Sequence, residues 1–317
     1  MYVISRRTFV ERLSKTAAAA ASASLLPTWA NAQQVPNSAG RERPRTKAPA
    51  NAADCHAHIY DARFPSAIPP LPHATVGDYR LLQQRTGTSR VVIVTPRNYV
   101  VDNSVTLDAI RQFGGSARGV AVVRPDVTDG ELKRLDSGGI RGIRFTVADP
   151  SVAVVSINMI EPLAKRIADI GWHVQLNMSR EQMLENGPML RRLPVPIVFD
   201  HLAYLSAPEG LTHPAYTVVR SLIDNGRTWV KLSGAYIRSR VGPPSYRDVA
   251  QVAQAFVTAA PERLVWGSDW PHPSETERKP DDANLFDLLA TWAPDERIRN
   301  RILVQNPEAL YGFGKRT

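Results

Sequence analysis

Between residues 54 and 269 the chain repeats one unit eight times: a short run rich in β-branched residues, then a turn, then a segment with helical spacing of apolar positions. The runs are DCHAHI (54–59), RVVIVTP (90–96), RGVAVVRP (118–125), IRGIRFT (140–146), WHVQLN (172–177), VPIVFDH (195–201), WVKLSG (229–234) and RLVWGSD (263–269). Helical patterns such as TVGDYRLLQQR, NSVTLDAIRQF, SINMIEPLAKRIADI and SYRDVAQVAQAFVTAA lie between them. Apolar runs this continuous belong to parallel strands covered on both faces. Eight strand-then-helix units over roughly 265 residues predict a single-domain (β/α)8 TIM barrel, an α/β fold, over residues 51–317. An open doubly wound sheet would carry a glycine-rich phosphate loop after its first strand. DCHAHI is followed by none.

Such barrels place their chemistry at the C-terminal ends of the strands. There stand His56 and His58, then Arg97, Asn98 and Tyr99, then Arg124, Arg144, Asn177, His201, Ser233 and Asp269. Branched aliphatics normally fill a barrel interior. Three histidines, several arginines and one carboxylate at a single mouth are therefore hard to attribute to packing.

The N-terminus has a different character. SRRTFVERLSK (5–15) sets a twin arginine before the alanine-rich TAAAAASASLLPTWANA, which ends in the small-x-small pattern Ala30-Asn31-Ala32. This describes an export signal over residues 1–32 rather than a membrane span. The arginine pair implies the twin-arginine export machinery as a partner and a periplasmic or exported location. Residues 33–50, QQVPNSAGRERPRTKAPA, are polar and rich in Pro and Arg, which predicts a disordered linker.

The formal charge is +9. Setting aside four bases and one acid in the signal, and the same in the linker, leaves +3. That surplus gives no basis for a nucleic-acid partner. Cys55 is the one cysteine, so no intramolecular disulfide forms. It is read as a packing residue rather than a nucleophile. No later apolar stretch is long enough for a membrane span.

The motifs DCHAHIYD, GGIRGIRF, PVPIVFDHLA and RLVWGSDWPHP resemble the amidohydrolase-related family, from about residue 52 to NPEALYGF near the end. Within it they are most similar to the lactonase branch, with its pyrone-dicarboxylate hydrolases and its sugar-acid lactone isomerases and lactonases. The resemblance implies a barrel hydrolase in which His56, His58 and His201 surround a lactone carbonyl and Asp269 serves as the base.

Binuclear members of the superfamily need a bridging lysine on strand four, where this chain has Arg144. Mononuclear members use a histidine at the end of strand five. His173 lies near the start of that strand, four residues or on the order of 13 Å from the mouth, and is expected to be structural. The favoured expectation is a site without metal; if zinc is held, its ligands are His56, His58, His201 and Asp269. Without metal, imidazoles polarise the carbonyl by hydrogen bonding.

The substrate is then a small carboxylated lactone gripped by Arg144, with Arg124 or Arg238 assisting and Tyr99 and Asn177 adding contacts. The pattern departs from the dicarboxylate lactonases: no Lys or Arg follows Arg144 in RFTVADPSVAV, and Asn177 replaces their strand-five tyrosine. A monocarboxylated or sugar-acid lactone is expected instead. Zinc-dependent hydrolysis or decarboxylation, lactone isomerisation, and non-catalytic binding of small carboxylates in the periplasm remain as alternatives.

Overall fold

The structure is a computed structural model that describes residues 34–205 and 209–314. Its centre is an eight-stranded parallel sheet in sequence order. The strands are β1 (Ala53–Ala57), β2 (Arg90–Val94), β3 (Ala117–Ala121), β4 (Ile140–Thr146), β5 (His173–Asn177), β6 (Ile197–Phe199), β7 (Thr228–Leu232) and β8 (Leu264–Trp266). Helices over 76–86, 104–113, 129–137, 160–167, 214–224, 247–259 and 282–292 cover the outside. The first begins at a capping box, in which Thr75 and Asp78 satisfy each other's backbone N–H. The expected TIM barrel is the fold.

The barrel closes just beyond β8. Asp269 N donates to His56 O at 2.8 Å, and His58 N donates to Trp270 O at 2.8 Å. Gly267 makes this approach feasible, because a Cβ there would lie 2.6 Å from His56 Cβ. Closing the barrel thus places an acid from the last strand beside two histidines from the first.

An irregularity in β1 aims those histidines. Asp54 pairs with Val91 and Ala57 with Ile93, so Cys55 and His56 together oppose Val92 alone. An extra residue of this kind is a β-bulge, which re-aims side chains. Below the bulge Ala53 and Cys55 pack inward with Val92, Val94, Val120, Val198 and Val265. Above it His56 and His58 turn inward, while Ala57 joins the outer apolar layer. Burial raises the Cys55 thiol pKa, which removes it as a nucleophile.

The segment expected to be a disordered linker is instead a strap packed on the barrel, as far as it is described. Val35 is buried in the outer core, and Trp270 Nε1 donates to Pro36 O at 2.8 Å. Arg85 reaches Glu42 O, Ala39 O and Ser38 Oγ and also pairs with Asp281. Asp287 accepts from the backbone N–H groups of Arg45 and Thr46. Composition argued for disorder, but buried partners elsewhere in the chain satisfy the strap's backbone. The export signal expected over residues 1–32 lies outside the described residues. Among the described residues no helix is long and apolar enough to cross a membrane.

Candidate active site

Four side chains meet at the floor of the barrel mouth. His56 Nε2 lies 3.3 Å from His58 Nε2. Asp269 Oδ1 is 3.5 Å from His56 Nε2 and 3.3 Å from His58 Nε2. His201 Nε2 is 3.9 Å from Asp269 Oδ2. All four residues are buried. Burial alone would raise the Asp269 pKa, yet the imidazoles of His201, His58 and His56 hold it well below the usual carboxylate range. His201 is shifted down by burial, against the pull of Asp269 and Asp200.

Backbone conformation sets His201. Residues His201, Leu202, Ala203 and Tyr204 all have φ between 49° and 55°. For non-glycine residues this costs about 1–2 kcal/mol each, and it persists only where the surroundings over-determine it. Here they do: Leu202 and Ala203 are buried, and Ala203 N donates to Asp200 O at 2.9 Å. His201 Nδ1 contacts Ser233 Oγ at 3.0 Å, and its ring lies against Gly234.

Beneath these groups lies a buried charged layer. Asp200 Oδ2 accepts from Arg144 Nε at 2.9 Å and from Gln175 Nε2 at 3.3 Å. Lys231, fully buried on β7, donates to Cys55 O and Gln175 Oε1, both at 2.8 Å, and faces His56 Nδ1 at 3.2 Å. Burial lowers the lysine to about 8, partly opposed by Asp200. Burial and then Lys231 lower His56 well below its ordinary value. Burial would raise Asp200, but Arg144, His56 and Lys231 hold it well below. Buried ions need such mutual pairing, because each costs several kcal/mol to desolvate.

Behind Asp269 runs a second chain of contacts. Tyr236 Oη donates to Asp269 Oδ2 at 2.6 Å, His272 Nδ1 meets Tyr236 Oη at 3.1 Å, and His272 Nε2 meets Asp282 Oδ2 at 3.1 Å. Tyr236 leaves Oδ1 as the carboxylate oxygen that faces His56 and His58.

Above the floor is a cavity of about 660 Å³. His58, Arg144, Asn177, His201 and Asp269 all line it, so the structure unites most of the expected residues. Three others lie elsewhere. Arg124 stands three residues beyond the end of β3, exposed, with its Nη2 on Val154 O at 3.3 Å. Tyr99 is buried, its hydroxyl held between Asp61 N at 3.0 Å and Asp61 O at 3.2 Å, where it anchors the loop after β1. Arg238 is exposed above the Tyr204 ring, 4.8 Å from its centroid. His173 is structural, as expected: it packs against Gly142 and the Tyr311 ring, and burial with the Lys231 charge takes it to about 3.

The residues the sequence reading passed over are Asp200, Gln175, Lys231, Tyr236 and Asp282. Lys231 carried a usable signal. A lysine between Val230 and Leu232, in a strand covered on its outer face, must direct its ammonium into the barrel.

The spacing of the donors fits a divalent cation. Zinc with nitrogen and oxygen ligands near 2.0–2.1 Å in a tetrahedron sets its donors about 3.3–3.4 Å apart. His56 Nε2, His58 Nε2 and Asp269 Oδ1 are spaced at 3.3–3.5 Å. His56, His201 and Asp269 also offer donor atoms within 4.8 Å of one another.

Comparison with known proteins places this arrangement. The chain is similar to 2-pyrone-4,6-dicarboxylate hydrolase of Comamonas testosteroni, at 31% identity over 86% of this chain and 94% of that one. It is 33% identical to D-galactarolactone isomerase of Agrobacterium fabrum, over 84% and 93%. It is 31% identical to 4-sulfomuconolactone hydrolase of Rhizobium radiobacter, over 83% and 91%. Among solved structures, an apo protein of Agrobacterium tumefaciens superposes with a TM-score of 0.80 at 31% identity, covering 88% of this chain and 99% of that one. A probable 2-pyrone-4,6-dicarboxylic acid hydrolase of Acinetobacter baumannii, with citric acid bound, gives 0.71 at 26% identity, over 83% and 100%. Residues 53–313 match the family described as Amidohydrolase. The chain belongs to the amidohydrolase family.

Proposed function

We propose that this enzyme hydrolyses a small carboxylated lactone, using Asp269 as general base and His56, His58 and His201 to polarise the carbonyl, without a metal. The observation that carries the reading is the position of Asp269 Oδ1, 3.3–3.5 Å from two imidazole nitrogens at the floor of a cavity flanked by Arg144. The hydrolase names of similar proteins support it.

Asp269 takes a proton as water adds to the acyl carbon, and the carbonyl oxygen, becoming anionic, is held by imidazole N–H groups. The ring C–O bond then breaks, and Asp269 returns the proton to the alkoxide. The product is a hydroxy acid. Arg144 gives its Nε to Asp200, and among the described residues its Nη atoms have no hydrogen bond to protein, so they are open to a substrate carboxylate. If zinc is bound, His56, His58, His201 and Asp269 would hold it, and it would supply Lewis acidity toward the carbonyl.

The test is Asp269→Asn assayed by proton release on a panel of carboxylated lactones. Turnover should fall about 10²–10⁴-fold while substrate binding persists. Unchanged turnover refutes the role of Asp269. Affinity without turnover in either form shows a binding protein. One observation favours a second reading: the 33% identity to a lactone isomerase. In that case a substrate hydroxyl replaces water, and the product carries no new carboxylate. We also place the enzyme outside the cytoplasm, on the strength of the twin-arginine motif at Arg6-Arg7.

A further inference from the structure

We propose that Lys231 fixes the proton of His56 on Nε2 and thereby keeps His56 a hydrogen-bond donor rather than a metal ligand. The inference deepens the metal-free form of the proposed function, but it rests on geometry that involves no substrate.

An ammonium only donates. Lys231 gives hydrogens to Cys55 O and Gln175 Oε1 at 2.8 Å each, and its remaining hydrogen meets His56 Nδ1 at 3.2 Å. The competing acceptor, Asp200 Oδ1, is farther from Nζ at 3.7 Å. That oxygen also lies 3.2 Å from His56 Nδ1, yet it has no hydrogen-bond partner. His56 Nδ1 is therefore an acceptor, and the ring's hydrogen resides on Nε2.

His58 is oriented the opposite way. Its Nδ1 contacts Val94 O at 2.8 Å, and a carbonyl only accepts, so that nitrogen carries the hydrogen and Nε2 turns to the site. The His56 Nε2–H thus enters the space between His58 Nε2 and Asp269 Oδ1, where a zinc ion would otherwise sit. Binding zinc through His56 would require moving that hydrogen to Nδ1, directly against the lysine ammonium. Groups that orient metal-ligating histidines normally accept from the distal N–H and strengthen binding. Lys231 is a donor in that place, and it opposes binding.

Two measurements test this on the full chain. Nitrogen-15 spectra of histidine-labelled protein should show His56 protonated on Nε2 and bare on Nδ1. Zinc titration by calorimetry, before and after Lys231→Met, should show affinity rising about 10–100-fold in the variant, the range typical of such supporting groups. A hydrogen on His56 Nδ1 overturns the proposal, as does unmodified protein that binds zinc as tightly as Lys231→Met. If the variant does not fold, the spectra of the unmodified protein decide alone. Neither readout uses a lactone, so failure here is distinct from failure to find a substrate.

Discussion

Gly234→Ala is the substitution whose effect is best defined by geometry. Gly234 sits at φ +64°, and a Cβ there would lie 2.7 Å from both His201 Nδ1 and Ile237 Cδ1. The left-handed backbone costs a non-glycine residue about 1–2 kcal/mol. Crowding of a packed site adds about 1–3 kcal/mol, for roughly 2–5 kcal/mol together. At about 2–4 °C per kcal/mol, the melting temperature should fall by roughly 4–20 °C.

Gly226 provides the control: its φ is +82°, yet the nearest atom to a Cβ would be Arg263 Nη2 at 3.9 Å. Gly226→Ala should carry only the backbone cost. Activity separates the two more sharply. To restore an ordinary 3.4 Å contact, His201 must retreat by roughly 0.7 Å, and misplacing a catalytic group by about 1 Å costs on the order of 10²-fold. Thermal denaturation and steady-state kinetics of both variants check this. Gly234→Ala should lose tenfold or more in kcat/KM, on the order expected for such a displacement, and Gly226→Ala should lose none. Equal melting shifts and equal activity in the pair would refute the view that Gly234 seats His201.

Arg144→Met should raise KM for carboxylated lactones by roughly 10–150-fold, equivalent to about 1.5–3 kcal/mol for hydrogen bonds to a charged group. Neutral lactones should lose less, because for them only the support of Asp200 is removed. A uniform loss on both substrate classes, in a variant of unchanged melting temperature, would mean that Arg144 serves Asp200 alone. Replacing Arg6 and Arg7 by Lys should abolish appearance of the protein in a periplasmic fraction; persistence there would exclude the twin-arginine route.

The barrel was legible because strands covered on both faces must be apolar along their whole length, and eight such runs survive in the sequence. His56, His58, His201 and Asp269 were legible because polar residues at strand ends have nowhere to point but the mouth. Arg124 and Arg238 were misplaced by register: β3 stops at Ala121, and Arg238 ends a short helix that carries it out over Tyr204. Tyr99 was misplaced because nothing local shows that its hydroxyl closes a loop 38 residues away in sequence. The strap was misread for the same reason. Its anchors, Arg85, Trp270 and Asp287, are distant in sequence, and composition records only the absence of a core of its own.

The bulge in β1 means that the chemistry of this barrel is written partly in strand length and not only in residue type. Were the same residues paired without the bulge, the strict two-residue alternation of a strand would turn both imidazoles toward the helices and leave Ala57 at the mouth. Excising Cys55 would take out the extra residue and leave the imidazoles facing inward, whereas straightening the strand at full length would reverse every side chain that follows. The aim of the two imidazoles is thus a property of how the first strand pairs with the second, which no single side chain there carries.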